Sequence, residues 1–149
     1  MNAFNPAVTS SHSASTAPTT RPRVSGSVWL GRGLSGFVSL FLGFDAAMKL
    51  IQHPMAVAGT VELGFPAGSL LPIGILAAVC WLLYVIPRTA VLGAILWTGY
   101  LGGAIAIHVR AGNPLFSHTL FPIYVAVLLW GGLVLRDPRV LGLLAPRKD

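Results

Sequence analysis

Residues 84–110 read YVIPRTAVLGAILWTGYLGGAIAIHVR, and this stretch decides the fold. After Pro87 and Arg88 the chain runs for about 20 residues without a charge until Arg110, long enough for one helix to cross a hydrocarbon core of about 30 Å. Helix faces that carry only small side chains allow membrane helices to pack closely against each other. The stretch therefore predicts a span with a small-residue packing face, formed by Ala90, Ala94, Thr98, Gly99, Gly102, Gly103 and Ala106.

The composition excludes a water-soluble globule. Of the 149 residues, 54% are hydrophobic and only 9% are charged, whereas roughly 25% are charged in soluble domains. The net charge of +6 comes from basic residues that stand beside apolar runs, so membrane topology explains them better than nucleic-acid binding does. The single cysteine, Cys80, has no partner for an internal disulfide. The predicted partner of the chain is the lipid bilayer.

The apolar segments predict an all-α, four-helix antiparallel membrane bundle, with spans at about 33–51, 70–86, 90–109 and 120–135. The short turn at Pro87 makes the second and third spans a hairpin. Pro54 and Gly64 predict a short interfacial helix over Met55–Leu63. Asp45 follows the first apolar run without a cleavage pattern, which favours an uncleaved first span over a removed signal peptide. The predicted domains are a disordered tail (1–27), the membrane domain (28–144) and a basic C-terminal tail (145–149).

The distribution of basic residues predicts the orientation. Two of the ten, Lys49 and Arg110, fall on one side of a four-span topology. The other eight fall on the opposite side, namely Arg21, Arg23, Arg32, Arg88, Arg136, Arg139, Arg147 and Lys148. The positive-inside rule then places both termini in the cytoplasm. We expect a multi-pass protein of the bacterial cytoplasmic (inner) membrane.

Asp45 and Lys49 are the first candidates for a polar site. Their spacing of four places them on one helical face, and Asp45 lies roughly 9 Å inside the apolar layer if the helix is upright. Two interpretations remain open. The pair is structural, with the Lys49 stem extending toward the interface, or Asp45 is a functional carboxylate that faces the bundle interior.

His108 and Arg110, at the end of the third span, complete the predicted polar site at the same side of the membrane. His108 is either an interface residue or a proton-handling or quinone-contacting group. Secondary candidates near this side are His53, Glu62, Tyr100 and His118. No histidine or cysteine spacing indicates a metal, and no tightly bound cofactor is predicted.

The third and fourth spans, with the loop NPLFSH between them, closely resemble the DoxX-like family of small four-span bacterial membrane proteins. The resemblance covers about Phe37 to Leu144 and includes the first-span pattern that ends in Asp45 to Leu50. It implies the four-helix fold. Relatives include small subunits of terminal or thiosulfate:quinone oxidoreductases and partners in membrane redox-defence complexes. Many relatives carry an acid in a Gly-Ile-Leu-Glu pattern, where this chain has Ala77 after Leu76.

The resemblance implies an accessory or quinone-proximal subunit of a membrane redox system, whose partners are redox-complex subunits or a second copy of the chain. No complete catalytic constellation indicates an enzyme on its own. Two alternatives stay open, a small-molecule or ion transporter that uses the same polar residues, and a purely structural partner. In the structural alternative, Leu at Gly99 and Gly103 disrupts folding or assembly.

Overall fold

The computed structural model describes residues 26–137 and 139–144. Four of its helical segments are long and apolar enough to cross a membrane. This confirms the all-α, four-span fold class. The helices are α1 (Gly26–Leu50), α2 (Pro54–Glu62), α3 (Leu70–Val85, preceded by a 3₁₀ turn at Ala67–Ser69), α4 (Ala90–Arg110), α5 (Phe121–Arg136, preceded by a π-helical turn at Leu115–Thr119) and α6 (Arg139–Leu144).

Each long helix packs against neighbours that run in the opposite direction. Around the bundle the order is α1, α3, α4, α5, and α5 also packs against α1, so α1 and α4 lie across the bundle from each other. Two ends result. The basic end contains the beginning of α1 with Arg32, the α3–α4 turn with Arg88, and the end of α5 with Arg136. The α2 end contains the end of α1, α2, and the α4–α5 loop.

Close contacts of α1 explain its central position. A Cβ atom on Gly31 would lie 2.6 Å from the backbone nitrogen of Arg136, so α1 and α5 nearly touch at the basic end. Farther along α1, Gly43 leaves room for the ring of Trp81 on α3. The indole N–H of Trp81 donates to the carbonyl oxygen of Ser39 at 2.8 Å. Such close approaches and interhelical hydrogen bonds replace the hydrophobic drive that is missing between helices in lipid.

Tyr84 anchors the basic end of the core. It is fully buried, and its hydroxyl donates to the backbone carbonyl of Leu129 at 3.0 Å. The guanidinium of Arg136 lies over the ring, 5.2 Å from its centroid. The same residue meets α4, because a Cβ on Gly93 would lie 2.6 Å from the Cα of Tyr84. The α3–α4 hairpin is therefore closed tightly at this end.

The helix bounds differ from the predicted spans mainly at the ends. Helix α1 begins at Gly26 rather than at residue 33, so Gly26 and Ser27, assigned to the disordered tail by the sequence, are helical. The interfacial helix is Pro54–Glu62, with Pro54 in its first turn and the Nδ1 atom of His53 accepting from the backbone N–H of Met55 at 3.3 Å. The predictions for residues 1–25 and 145–149 lie outside the described residues.

The predicted packing face of α4 is largely not used inside the chain. Ala94 is fully buried, but Thr98 and Ala106 are exposed. Gly99, Gly102 and Gly103 are exposed too, and a Cβ at any of these glycines would meet nothing within 4 Å. The helix turns Trp97 and Leu101 into the core instead. Large side chains make many more dispersion contacts than glycines do, which favours this rotation of α4.

Candidate functional site

A cavity of about 540 Å³ lies between the long helices in the half of the bundle near the α2 end. It separates α1 from α4, and its wall is mostly apolar. Helix α1 contributes Phe41, Leu42, Asp45 and Lys49, α3 contributes Ile73 and Leu76, α4 contributes residues between Trp97 and His108, and α5 contributes Phe121, Pro122 and Val125. A volume of roughly 300–1,000 Å³ with a few polar groups is typical of small-molecule sites.

Helix α2 and the loop after it cover one side of the cavity. Thr60, Leu63 and Phe65 belong to the wall, although no residue of α2 itself is buried. The Arg110 side chain holds this segment from α4, because its Nη2 atom donates to the carbonyl oxygen of Leu63 at 3.1 Å. The chain turns at Gly64 with φ of +86°, a conformation that favours glycine. Arg110 therefore connects α4 with the loop that follows α2, and it does not line the cavity.

Asp45 and Lys49 form an ion pair one helical turn apart, and both side chains line the cavity. Both residues are half-buried. The ion pair offsets part of the cost of placing a carboxylate in an apolar layer. It also leaves the pair at the wall of a cavity large enough for a ligand. The two interpretations of Asp45, structural pair and functional carboxylate, are therefore compatible in this geometry.

Two aromatic residues of α4 form the inner wall. Trp97 is fully buried, and its ring meets that of Tyr100 edge-on with centroids 5.0 Å apart. The Nε1–H of Trp97 has no hydrogen-bond acceptor among the described residues. The described residues also provide no hydrogen-bond partner for the Tyr100 hydroxyl. Both residues line the cavity, although the Trp97 side chain, including its Nε1 atom, is fully buried.

His108 lies at the outer limit of the same wall, roughly 16 Å along α4 from Trp97 at 1.5 Å per residue. Its Nδ1 atom is 2.9 Å from the side-chain amide nitrogen of Asn113, which is the donor of that hydrogen bond. The ring of His118 lies edge-on to it at 5.9 Å between centroids. His118 is exposed. This polar cluster connects the cavity with the loop at the α2 end.

The cavity also reaches the outer surface of the bundle between α3 and α4. Gly99 and Gly103, near the middle and in the second half of α4, line it and are exposed. Leu76 on α3 lines it as well, with 52% of its surface exposed. These helices touch at Gly93 near the basic end, and the absence of side chains at Gly99 and Gly103 leaves the space between them open. The opening faces the lipid at mid-depth if the four helices span a bilayer.

The predicted site residues thus separate into two groups. Asp45, Lys49, Tyr100 and His108 line one cavity. The other four do not line it: Arg110 holds the loop after α2, His53 caps α2, Glu62 is exposed, and the His118 ring in the loop meets the His108 ring edge-on. The sequence interpretation treated Trp97 as a packing aromatic, and its full burial in the core agrees with that role, but the sequence did not place its ring in the cavity wall. The available signal was its spacing of three from Tyr100, which places the two rings on one helical face.

Neither a metal-binding cluster nor strong polarity marks the surroundings of the cavity in the part of the chain that the structure describes. Within residues 26–137 and 139–144, no group of three or more His, Cys, Asp and Glu residues is placed to hold a metal ion. A second groove of about 360 Å³ lies between α4 and α5, next to Gly102. In its wall the indole N–H of Trp130 donates to the Thr98 hydroxyl at 2.9 Å, and that hydroxyl donates to the carbonyl oxygen of Ala94 at 2.8 Å.

The fold and the cavity define a class, a multi-pass membrane protein whose four antiparallel helices enclose a cavity open to the lipid-facing surface. A family model for the DoxX-like family matches residues 33–132. The chain therefore belongs to the DoxX-like family, and the resemblance noted in the sequence is confirmed. No curated protein and no solved structure matches the sequence.

Proposed function

We propose that the protein binds a small lipid-soluble carrier of the quinone class in the central cavity, as an accessory subunit of a membrane redox system. The observation that carries the proposal is the opening at Gly99, Gly103 and Leu76, which connects an apolar cavity of about 540 Å³ with the lipid-facing surface. A ligand that partitions into the bilayer has direct access there. A strongly hydrated solute does not, because it would have to shed its water in the hydrocarbon layer.

The polar groups of the wall suit a ring with exchangeable protons. Asp45 and His108 can each hold or release a proton, and His108 connects through Asn113 and His118 to the loop at the α2 end. A carrier whose reduced form bears hydroxyl groups needs such neighbours. The protein contributes binding, orientation and a path for protons in this proposal, while the electrons come from and go to partner subunits.

Closing the opening tests the proposal most directly. Gly99→Leu and Gly103→Leu add side chains into open space, so the fold should persist while the access route and part of the cavity are filled. We expect these variants to lose at least tenfold in affinity for a short-chain quinone probe, measured by calorimetry on protein in lipid nanodiscs. Gly102→Leu is the matched control, because Gly102 is equally open but does not line the cavity. Equal affinity of all variants and the wild type would contradict the proposal.

Asp45→Asn tests the role of the carboxylate in the same cavity. The change keeps the shape of the side chain but removes the charge that Lys49 pairs with. We expect quinone affinity to fall, with the amount of folded protein as the control. Purification in mild detergent at native expression level tests the second half of the proposal. A protein that never copurifies with an oxidoreductase subunit would refute the redox-subunit role while leaving the binding site intact.

A transporter would use the same cavity differently. It needs a route from one membrane face to the other, and in the described residues the basic end is closed by Tyr84, Leu129 and Arg136. Flux of a polar solute into liposomes that contain the purified protein would favour transport over carrier binding.

We also propose, from the distribution of arginines, that the basic end faces the bacterial cytoplasm.

A further inference from the structure

The two ends of the bundle differ in net charge. Among the described residues, the basic end carries four arginines and one acid, which leaves a net charge of +3, whereas the two cations and two acids of the α2 end cancel. The charged residues of the basic end are Arg32, Arg88, Arg136, Asp137 and Arg139, and those of the α2 end are Asp45, Lys49, Glu62 and Arg110. The surplus of positive charge is therefore confined to one end of the described structure.

Three arginines of the basic end can reach an external anion. Arg32, Arg88 and Arg139 are exposed, and no ion pair joins their side chains to a carboxylate in the part of the chain that the structure describes. Asp137 instead accepts from the backbone N–H of Arg139 at 3.0 Å. Arg136 differs, because it is half-buried and its guanidinium packs over an aromatic ring of α3. The charge of the three exposed guanidinium groups is thus not neutralised within the described residues.

The first turns of α1 place a guanidinium toward the start of the helix. Arg32 follows Trp29 by three residues, and its guanidinium carbon lies 5.4 Å from the centroid of the Trp29 ring. The side chain therefore extends back along α1, away from the apolar centre of the span. Trp29 is 64% exposed, and exposed tryptophans at the ends of membrane spans lie at the level of the lipid headgroups. A guanidinium beside this ring is at the level of the lipid phosphates.

Helix α6 holds another of these arginines at the same end. Val140 is buried in the core, whereas Leu141, the next residue, is 55% exposed. Because Val140 anchors the helix and α6 packs against α5, the exposed Arg139 is fixed at the end of the bundle. Apolar side chains that meet lipid beside cations that meet headgroups are typical of a segment at the membrane interface.

We propose that the basic end binds the headgroups of anionic phospholipids, so that lipids of this class are enriched around the protein. A guanidinium pairs with a phosphate that carries net negative charge, whereas a zwitterionic headgroup brings its own cation. The exposed arginines lie on α1, in the α3–α4 turn and at the start of α6, so they are distributed over the end of the bundle. This distribution matches a layer of headgroups rather than one soluble anion. The proposal is independent of carrier binding in the cavity.

The test identifies the lipids that stay with the full chain. The protein is reconstituted in nanodiscs that contain equal amounts of phosphatidylglycerol and phosphatidylcholine with the same acyl chains, and the lipids retained after release from the disc are counted by native mass spectrometry. We expect the wild type to retain at least roughly fivefold more phosphatidylglycerol, the equivalent of one arginine near an anionic surface. The enrichment should decrease as the salt concentration rises, because exposed charges are screened.

Substitutions separate headgroup binding from the role of arginines in orientation. Arg32→Gln, Arg88→Gln and Arg139→Gln should each lower the enrichment by about two- to fivefold. Arg32→Lys should keep most of the enrichment, because it retains both the positive charge and the topology signal. Arg110→Gln is the matched control, since it removes an exposed arginine from the α2 end. Its enrichment should equal that of the wild type.

Each contrary outcome would refute the proposal in a different way. Equal retention of the two lipids by the wild type would leave the basic end with a role in orientation or with a partner of another class. Full enrichment in all three glutamine variants at the basic end would show that these arginines do not bind the headgroups. The same loss in Arg110→Gln would show that the preference does not belong to the basic end. Displacement of the retained phosphatidylglycerol by an excess of soluble glycerol phosphate would assign the arginines to a soluble anion.

Discussion

Gly93→Ala should destabilise the bundle, whereas Gly103→Ala on the same helix should not. An alanine Cβ at Gly93 would lie 2.6 Å from the Cα of Tyr84 and 2.7 Å from the carbonyl carbon of Leu83. Carbon atoms in good contact are about 3.5–4.0 Å apart, so α3 and α4 must separate by about 1 Å at the tightest point of their hairpin. Both clashing atoms belong to the backbone, and no side-chain rotation relieves them.

The magnitude follows from a comparison of the two variants. Gly→Ala in a helix interior gains roughly 0.8–1 kcal/mol from helix propensity, but this gain is common to both substitutions and cancels in their difference. Overpacking costs about 1–3 kcal/mol, and only Gly93 incurs it, since a Cβ at Gly103 meets nothing within 4 Å. Gly93→Ala should therefore be less stable than Gly103→Ala by about 1–3 kcal/mol.

Reversible unfolding in mixed micelles, followed by circular dichroism, measures this difference. Gly102→Ala provides a second control on the outer surface of α4, where a Cβ is equally unobstructed. The reasoning fails if Gly93→Ala is as stable as the two control variants. It also fails if Gly103→Ala is the least stable of the three, because the small-residue face would then be the packing surface that the sequence predicts.

Three further predictions concern other parts of the fold. Arg110→Gln removes the guanidinium that donates to the Leu63 carbonyl at 3.1 Å, so amide hydrogen exchange should become faster across α2 and unchanged at the basic end; equal exchange would show that Arg110 does not hold α2. Tyr84→Phe removes a buried hydrogen bond to the Leu129 carbonyl and should lower the unfolding free energy by about 1 kcal/mol in the same micelle assay. A reporter enzyme fused after Gly112 should be active only outside the cytoplasm, and cytoplasmic activity would reverse the proposed orientation.

The sequence predicted the spans well because hydropathy and length are local properties. It also predicted the Asp45–Lys49 pair, since a spacing of four fixes neighbours on any helix. The extended start of α1 was missed because Ser27 and the residues near it are weakly apolar. Contacts with α5, whose backbone at Arg136 lies against Gly31, stabilise this first part of α1.

The cavity could not be predicted, because it depends on the rotation of α4 about its axis. A stripe of glycines and alanines indicates close packing when another helix covers it, and an opening when none does. Trp97 and Leu101 decide between these two cases. They fill the core from an adjacent face of α4, so no helix covers the glycine stripe. Gly93 brings α3 and α4 together at the basic end, and the cavity lined by both helices lies farther along α4.

The open glycines of α4 are difficult to explain by stability alone. A glycine in a helix interior is less favourable than alanine by roughly 0.8–1 kcal/mol, and Gly99, Gly102 and Gly103 gain no compensating close contact within the described chain. Alanine would fit sterically at each position. At Gly99 and Gly103, however, added atoms would narrow the opening of the cavity toward the lipid. Two of the three unfavourable residues, Gly99 and Gly103, therefore occur where access to the cavity depends on the absence of a side chain, which supports a binding role for this half of the bundle.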